Sequence, residues 1–276
     1  MRKLLGGLGV ALFIGACAGG AIPDLMMAQP AERVTASSPH VVAAIADPRR
    51  PAADRDRDAL RHPADILAFT GVQAGWRIAD VGPGGGYYTR LFAVAVGDGG
   101  RVYGINRARN PAATQLPAIL AVAEQYPNIS VIEQGYQGWS APEPLDAIFI
   151  SQIYHDFHLP AAPPRPATDT QAAFPGRQAL DVPAINRGMF AALKPGGVLI
   201  VIDHAAAGGS DLSVADSLHR IEQADVRREL EAAGFVFEDE SQVLRNPADN
   251  RSLRVFEGDI RGHTDQFVMR FRKPAN

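Results

Sequence analysis

The sequence predicts an α/β protein whose mostly parallel sheet is covered by helices on both faces, and three observations support this. Strand-like segments alternate with amphipathic helical segments along most of the chain. A glycine-rich turn, residues 82–86, follows the first strand and opens the first helix of this alternation. The last two strands have no helix between them, so we expect them to pair antiparallel at one edge of the sheet.

Each element is predicted from its pattern of apolar residues. Short apolar or alternating runs bounded by turn residues predict strands at 76–81, 101–105, 129–133, 146–151, 198–203, 235–244 and 266–272. Apolar spacing near 3.6 residues predicts helices at 87–96, 112–126, 184–193 and 221–233. The Lys-Pro-Gly-Gly segment at 194–197 is expected to form a turn before the fifth strand.

The composition is that of a globular protein and excludes several classes of function. Of the 276 residues 46% are hydrophobic and 21% are charged, and the formal net charge is −3. This charge gives no electrostatic basis for nucleic-acid binding. The only cysteine is Cys17, which excludes an internal disulfide framework and any zinc site that requires two thiolates.

The first residues have the pattern of an export signal. Two cations, Arg2 and Lys3, precede an apolar run at 4–17, and we assign residues 1–28 to a signal peptide and the start of a tether. Residues 14–17 (IGAC) resemble a bacterial lipobox, which would make Cys17 the attachment point of a lipid anchor to a membrane. Ordinary cleavage near Cys17 or after Ala28, and an uncleaved apolar helix, remain open. We therefore expect an exported, periplasmic protein.

Behind this signal we expect a flexible tether at 29–40 and a single α/β domain at 41–276. Arginine and aspartate alternate at 47–61, which is typical of a solvated helical face. The alternative is that this segment packs over the mouth of a site and supplies a cation to it. A Pro-rich loop at 159–180 is long enough for a lid or a binding loop, and its composition also fits a passive linker.

The glycine turn is the first candidate binding site, because ligands of parallel sheets bind beyond the carboxyl ends of the strands. A dinucleotide-binding turn would need a third glycine where Tyr87 stands. A nucleotide P-loop would need a lysine, and none is near. The pattern present is D-x-G-x-G-x-G, beginning at Asp80.

On these residues the chain resembles the class I S-adenosylmethionine-dependent methyltransferases over about residues 64–274. More narrowly, it resembles a bacterial group of exported predicted methyltransferases. The segments that carry the resemblance are 81–89 (VGPGGGYYT), 154–158 (YHDFH), 245–249 (RNPAD) and 264–274 (TDQFVMRFRKP). The resemblance implies a Rossmann-like, seven-stranded, mostly parallel sheet with an antiparallel edge strand.

The resemblance also implies S-adenosyl-L-methionine as the cofactor and a set of residues around it. Those matching the family's cofactor positions are Asp80, Gly82, Gly84 and Gly86 for the aminocarboxypropyl end, Asn106 for the ribose, Gly135 and Tyr136 for the adenine, and Ser151 at the end of the fourth strand. Asn106 departs from the family, which normally has an acidic residue there. An amide oxygen can accept one ribose hydroxyl but lacks the charge that strengthens such a bond.

The segment after the fourth strand holds the candidate catalytic residues His155, Asp156 and His158. Either histidine could take a proton from the methyl acceptor, with Asp156 orienting the ring. Two histidines and an aspartate could instead bind a metal ion, or form a merely structural network; no metal ligand is assigned. His204, at the end of the fifth strand, is a further candidate for the pocket wall or an ordinary histidine at a strand end. His219, before the helix at 221–233, fits a functional and a structural role equally well.

The leading functional hypothesis is S-adenosylmethionine-dependent methyl transfer to an unidentified small-molecule acceptor. An alternative is an exported, non-catalytic binding protein for a nucleoside-like or other small ligand. A third is a metal-dependent hydrolase or lyase at residues 155–158. Export counts against the first hypothesis, because the cofactor is made in the cytoplasm. The sequence indicates neither the acceptor nor an oligomeric state.

Overall fold

The structure is a computed structural model, and it describes residues 33–110, 116–163 and 176–275. A seven-stranded sheet runs through the middle of the domain. Its strands are β1 (Arg77–Val81), β2 (Arg101–Ile105), β3 (Ile129–Ile132), β4 (Leu145–Ser151), β5 (Leu193–His204), β6 (Val236–Ser241) and β7 (Gln266–Arg272). The predicted number and order of strands are therefore confirmed.

The strand order across the sheet is β3-β2-β1-β4-β5-β7-β6. The first five strands pair in parallel, whereas β7 pairs antiparallel with both β5 and β6. This is the mostly parallel sheet with an antiparallel edge that the sequence predicts. The strand order reverses between β1 and β4, and ligands of open α/β sheets bind at such a reversal.

Nine helices accompany the sheet in the described part of the chain. They are α1 (Pro39–Ala46), α2 (Ala52–Arg55), α3 (Asp58–Arg61), α4 (Pro63–Thr70), α5 (Tyr87–Val96), α6 (Ala118–Gln125), α7 (Val182–Ala192), α8 (Val214–Leu218) and α9 (Gln223–Ala232). The four predicted helices correspond to α5, α6, α7 and α9. None of the helices in the described ranges is long and apolar enough to cross a bilayer.

The predicted turn at 194–197 needs a correction, because strand β5 already begins at Leu193. Leu193 pairs with Leu145, yet the next pair is Val198 with Ala147. Five steps along β5 therefore match two along β4, and the Lys-Pro-Gly-Gly segment bulges out of the ladder. Its Gly196 has φ +79°, which glycine adopts readily.

The apolar core has two parts, one on each face of the sheet. Successive residues of a strand point to opposite faces, so Ile78 joins one part and Ala79 the other. Helices α1, α4, α5 and α6 cover the first face, and α7 and α9 cover the second. This two-sided cover explains why the central strands are almost continuously apolar.

The amino-terminal part of the domain packs closely against α5 and the sheet. Residues 33–40, assigned to the tether from the sequence, form part of the same compact unit as the sheet, and α1 begins within them. The His40 Nε2 atom lies 2.8 Å from the Val72 carbonyl oxygen. The predicted signal peptide, Cys17 and the start of the tether lie outside the described residues.

The segment rich in arginine and aspartate also packs inward. The Arg50 side chain is fully buried, and its Nη2 atom lies 2.5 Å from Asp58 Oδ1. The Tyr87 hydroxyl on α5 donates to the same Asp58 oxygen at 2.6 Å. These contacts hold α3 against the start of α5, so Arg61 at the end of α3 lies beside the glycine turn.

A buried ion pair holds the RNPAD segment to the domain. Arg220 and Asp249 are almost completely buried, with Nη1–Oδ2 and Nη2–Oδ1 distances of 2.8 and 3.2 Å. Asp249 also accepts the backbone N–H groups of Arg251 and Asp265 at 2.8 and 2.7 Å. Removing the charge of one partner leaves the other charge buried and uncompensated.

We therefore expect Asp249→Asn to lower the free energy of unfolding by about 3–5 kcal/mol, measured by urea denaturation. Glu231→Gln is the matched control, because it removes an exposed i,i+4 pair with Arg227. This control should cost no more than about 0.5 kcal/mol. Equal losses for the two variants would contradict the assignment of the Arg220–Asp249 pair as an anchor.

Candidate functional site

The glycine turn between β1 and α5 forms the floor of the candidate site. Gly82, Gly84 and Gly86 have φ values of +72°, +54° and +79°, which side chains other than glycine rarely adopt. A Cβ atom on Gly86 would lie 2.9 Å from the Val122 side chain, whereas one on Gly84 would meet nothing within 4 Å. Gly86 is therefore required for packing on α6, and Gly84 leaves open space for a ligand.

Asp80, at the end of β1, is buried beneath this turn. Its exposed fraction is 3%, and its Oδ2 atom accepts the Thr89 hydroxyl at 2.6 Å. Burial raises the pKa of Asp80 to about 6, and the Thr89 hydrogen bond only partly offsets this. Within the described residues no cation pairs with Asp80.

A pocket of about 200 Å³ lies between Asp80 and the amino-terminal segment. Arg57 and Arg61 form its far wall, and Ser151 and Gln152 close its side. Arg61 donates from Nη2 to Gln152 Oε1 at 3.1 Å, and its guanidinium lies 4.8 Å from the centre of the Tyr87 ring. Burial lowers the pKa of Arg61.

This pocket presents one carboxylate, Asp80, and two guanidiniums, of which that of Arg57 already pairs with Asp54 at 3.1 Å. In the described ranges Arg61, like Asp80, has no side chain of opposite charge as a partner. A buried charge is costly unless it is paired. A ligand that carries an ammonium and a carboxylate on one carbon would pair with both, so the pocket is suited to an α-amino acid group.

The ends of β2 and β3 place Asn106 beside Glu133. Ile105 and Ile132 are partners in the sheet, and these two residues follow directly. Asn106 has an exposed fraction of 6%. In the described part of the chain, Asn106 Nδ2 and Glu133 Oε1 are both buried without a hydrogen-bond partner, and Arg109 Nε forms a longer ion pair of 3.8 Å with the same Glu133 oxygen. An unmade buried hydrogen bond is costly, so both atoms are suited to a polar ligand.

A larger cavity of about 670 Å³ begins at Gly82 and Gly84 and extends along the carboxyl edge of β4 and β5. Its charged and imidazole-bearing walls are Arg107, His155, Asp156, Arg177, His204, His219 and Arg254. Its apolar walls include Tyr136, Ile153 and Phe256. The cavity and the small pocket share the glycine turn, so one ligand can reach from one into the other.

His155 lies at the inner end of this cavity and is held by Asp203. Its Nδ1 atom lies 2.8 Å from Asp203 Oδ1, and its backbone N–H donates to Asp203 Oδ2 at 2.8 Å. Asp203 therefore orients the His155 ring through Nδ1 from the end of β5, and Asp156, the residue predicted for this role, has its Oδ1 atom 3.3 Å from Nε2 of the same ring. Burial alone would lower the pKa of His155, but the charge and hydrogen bond of Asp203 together with the charge of Asp156 outweigh burial and raise it.

His219 faces His155 from the other side. Its Nδ1 atom lies 3.3 Å from His155 Nε2, and its Nε2 atom lies 2.9 Å from Arg254 Nη2. Burial, with the nearby positive charges, lowers the pKa of His219 to about 4. Burial likewise lowers the pKa of His204 to about 4, and its Nδ1 atom lies 2.6 Å from the Thr264 hydroxyl.

His158 is separated from this group. Its Nε2 atom lies 3.1 Å from Glu229 Oε2 on α9, and its ring packs against Tyr154. The Tyr154 hydroxyl donates to the same glutamate oxygen at 2.9 Å. His158 does not line either pocket described above, so the geometry supports a structural role.

The remaining predicted cofactor residues lie along the same edge of the sheet. Tyr136 lines the large cavity, and its ring packs against Phe157 at 5.5 Å between centroids. Gly135 has φ +89° and lines a neighbouring pocket of about 340 Å³, which Tyr136 also lines. Ser151 lines the small pocket. The structure thus gathers Asp80, the glycines, Tyr136 and Ser151 around connected space.

Comparisons with known proteins agree with this geometry. Residues 57–157 match the family model described as protein-L-isoaspartate(D-aspartate) O-methyltransferase. A structure of a SAM-dependent methyltransferase from Aquifex aeolicus superposes with a TM-score of 0.50, covering 81% of this chain and 98% of that one at 18% identity. The chain has the class I methyltransferase fold. S-adenosylmethionine is the cofactor of the class I methyltransferases. The predicted resemblance to these enzymes is confirmed.

Two further relatives show how far the likeness extends. A structure of the Haloferax volcanii Trm112 methyltransferase activator in complex with a methyltransferase gives a TM-score of 0.52 at 15% identity, covering 82% of this chain and 94% of that one. Protein-L-isoaspartate O-methyltransferase 1 from Arabidopsis thaliana is 30% identical over 135 residues, which are 47% of this chain. The chain spans about half of that relative, 46% of its length.

The local sequence gives only a weak signal for some residues of the site. Arg61 lies in a segment whose alternating arginine and aspartate residues are typical of a solvated face, and a cation supplied to a site is only the alternative interpretation. Arg177 and Arg254 gave no local signal, because their place at the cavity depends on how distant loops fold back. The Asp203-His204 doublet is the best signal in the sequence, since polar residues at strand ends face the ligand side of such a sheet. His219 follows α8 and gives no such signal.

The glycines provide a prediction that separates packing from ligand space. We expect Gly86→Ala to lower the free energy of unfolding by about 2–4 kcal/mol, because backbone strain adds to the contact with Val122. Gly84→Ala should cost only about 1–2 kcal/mol from strain. The new methyl group at residue 84 would occupy the open space that we assign to the ligand. This variant should therefore bind S-adenosylhomocysteine at least tenfold more weakly than the unaltered chain. Urea denaturation and calorimetry measure the two effects, and unchanged affinity in Gly84→Ala would contradict this prediction.

Proposed function

We propose that this protein transfers the methyl group of S-adenosylmethionine to a small acceptor held in the histidine-lined cavity. The observation that carries the proposal is the small pocket, where Asp80 and Arg61 offer opposite charges beside the glycine turn. The methionine end of the cofactor carries an ammonium and a carboxylate on one carbon, which match these two charges. The cofactor, when bound, supplies a methyl group on a sulfonium centre.

The residues of the chain fit this cofactor along its whole length. Gly84 allows close approach of a ligand to the backbone of the turn. At the other end, Asn106 and Glu133 present a buried amide donor and a buried carboxylate oxygen to a ribose. Glu133 would thus supply the negative charge that Asn106 lacks at the usual ribose position. Tyr136 and Gly135 then border the space for the adenine.

The acceptor is assigned to the large cavity beyond the glycine turn. His155 is the polar group that we place at the acceptor site, because it lines this cavity and Asp203 fixes its ring through Nδ1. The cavity also contains Arg177 and Arg254, and Arg254 makes its closest described polar contact with a neutral histidine. These cations favour an acceptor that carries a carboxylate or a phosphate.

The similar proteins agree with this assignment of acceptor chemistry in one respect. The matching family model and the Arabidopsis relative are named for methyl transfer to isoaspartate, which is a carboxylate. The chain matches about half of that relative, so its own acceptor is proposed from the cavity. Positioning of the acceptor beside the cofactor is the main catalytic contribution that the geometry supports.

The comparisons give no support to the non-catalytic alternative. Export, predicted from residues 1–28, remains part of the proposal, as do the lipid anchor at Cys17 and the narrower likeness to exported methyltransferases. An exported enzyme would need cofactor outside the cytoplasm. Tight binding would let the protein take up scarce cofactor, and the opposite charges of Asp80 and Arg61 in the small pocket favour such binding.

Isothermal titration of the full chain with S-adenosylmethionine and S-adenosylhomocysteine tests the proposal. We expect saturable binding of one molecule per chain for both compounds. Absence of heat with either compound would overturn the proposed function. Saturable binding of adenosine with equal affinity would also contradict it, because adenosine lacks the amino acid group that the small pocket is proposed to hold.

The role of Arg61 gives a specific prediction. Arg61→Gln should raise the Kd for S-adenosylhomocysteine about ten- to a hundredfold, because a charge-assisted hydrogen bond contributes about 1.5–3 kcal/mol. The affinity for adenosine should not change. Arg55→Gln on α2 is the matched control, since Arg55 is exposed and lies outside the pocket. A Kd that is the same in both variants would refute the assignment.

The pKa of Asp80 predicts how this affinity depends on pH. Because burial raises that pKa to about 6, the carboxylate that attracts the ammonium is lost as the pH falls through this value. From the titration of Asp80 alone, the Kd for S-adenosylhomocysteine should rise about fourfold between pH 7.5 and pH 5.5. The groups that face Asp80 are Thr89 and Tyr88 on α5, Tyr136, and Arg57 and Arg61 across the pocket, and none of them changes charge in this range.

Asp80→Asn is the control for this dependence. This variant should bind S-adenosylhomocysteine more weakly than the unaltered chain at pH 7.5. Its Kd should also lack the part of the pH dependence that Asp80 causes. Titration of the cavity histidines is common to both proteins and therefore cancels in the comparison. An identical slope of log Kd against pH in the two proteins would contradict the role of Asp80.

A further inference from the structure

Three atoms that can serve as metal ligands converge at the inner end of the large cavity. They are Nε2 of His155, Nδ1 of His219 and Oδ1 of Asp156. The distance from His155 Nε2 is 3.3 Å to His219 Nδ1 and 3.3 Å to Asp156 Oδ1. His219 Nδ1 and Asp156 Oδ1 are 3.9 Å apart. Ring nitrogens and a carboxylate oxygen at such distances need a cation or shared protons between them.

These spacings match the edges of a metal coordination polyhedron. Bonds of about 2.1 Å place two ligand atoms about 3.0 Å apart at right angles and about 3.4 Å apart at the tetrahedral angle. Two of the three distances lie within this range. The third exceeds it by about half an ångström, and Asp156 can close this gap because its side chain is 36% exposed.

Asp203 prepares His155 for this role. A carboxylate only accepts hydrogen bonds, so the proton of the neutral His155 ring resides on Nδ1, 2.8 Å from Asp203. Its Nε2 lone pair is then free to face the cluster. A carboxylate that orients the second ring nitrogen is the usual outer partner of a metal-bound histidine.

The charge of a divalent ion also matches that of the two carboxylates beside it. Asp156 and Asp203 together carry two negative charges, and a divalent ion next to two neutral imidazoles cancels both. The remaining coordination positions face the large cavity, since His155, Asp156 and His219 all line it. Two histidines and one carboxylate with open positions form a ligand set that divalent transition metals accept.

We propose that His155, Asp156 and His219 form a binding site for one divalent transition metal ion, and that its open positions bind an anionic oxygen of the small molecule in the cavity. The metal site does not depend on the proposed methyl transfer; only the identity of the small molecule as the methyl acceptor rests on that function. His158, which the sequence placed beside His155 as a candidate, is replaced in this ligand set by His219.

The contact of Arg254 with His219 disfavours metal binding, and this gives the proposal a further test. Arg254 donates to Nε2 of His219 at 2.9 Å, which places the proton of His219 on Nδ1, between the two rings. A metal ion must displace that proton to Nε2, and Arg254 must then move away. Arg254 is exposed, so it can rotate into solvent. Removing its guanidinium should therefore leave metal affinity equal or higher.

The test is a calorimetric titration of Zn²⁺ into the full chain, prepared without an affinity tag and treated with a chelator. We expect one ion per chain. Asp156→Asn and His219→Asn should each raise the Kd at least tenfold, and asparagine tolerates the left-handed backbone of His219, whose φ is +55°. His263→Asn is the matched control, because His263 is exposed and outside the cavity. Arg254→Ala should bind Zn²⁺ at least as tightly as the unaltered chain.

Absence of saturation at one ion per chain would overturn the proposal. Retention of full affinity in both Asp156→Asn and His219→Asn would also overturn it. The absorption spectrum of the Co²⁺-loaded, unaltered chain tests the site without any substitution: intense visible bands of a four- or five-coordinate ion are expected, and the weak bands of hydrated Co²⁺ would contradict it. Binding of S-adenosylhomocysteine, measured on the same metal-free samples, distinguishes failure of the metal site from failure of the proposed function.

Discussion

The site depends on the parallel pairing of β1 with β4. Val81 lies beside Ile150 in the sheet, so the glycine turn after β1 and the histidine segment after β4 leave the sheet at the same edge. After β1 the chain continues into α5 on one face of the sheet, and after β4 it continues to α7 on the other face. The two connections therefore turn away from each other at the edge between these two strands. The cleft between glycine turn and histidine segment is a direct consequence of the strand order.

Parallel pairing of β4 with β5 extends this edge by one strand. Ser151 lies beside Ile202, which brings Asp203 under the histidine segment. The antiparallel strand β7 then returns Gln266 next to His204, and Gln266 accepts a hydrogen bond from Gln152 at 2.9 Å. Polar residues from four parts of the chain therefore meet at one end of the sheet. At the same end of the sheet, Asp80 and Arg61 have no partner of opposite charge among the described residues, and this is the arrangement expected of a binding site rather than of a core.

Most of the fold was predictable from the sequence, because the strands and helices differ clearly in apolar periodicity. The site was predictable where local sequence determines it. Asp80 and the glycines lie on one strand and its turn, so their spacing indicated their role. Asp203, rather than Asp156, orients His155, and only the pairing of β4 with β5 shows this. His219 and Arg61 reach the site from loops and short helices, whose positions depend on tertiary packing that periodicity does not report.

The central claim is that the pocket between Asp80 and Arg61 holds the α-amino acid group of the cofactor. A crystal structure of the full chain with S-adenosylhomocysteine tests this claim most directly. The account predicts the ligand carboxylate within hydrogen-bond distance of the Arg61 guanidinium and the ligand ammonium on the Asp80 side of the glycine turn. A ligand whose amino acid end lies away from both residues, or occupies the histidine-lined cavity instead, would contradict the account.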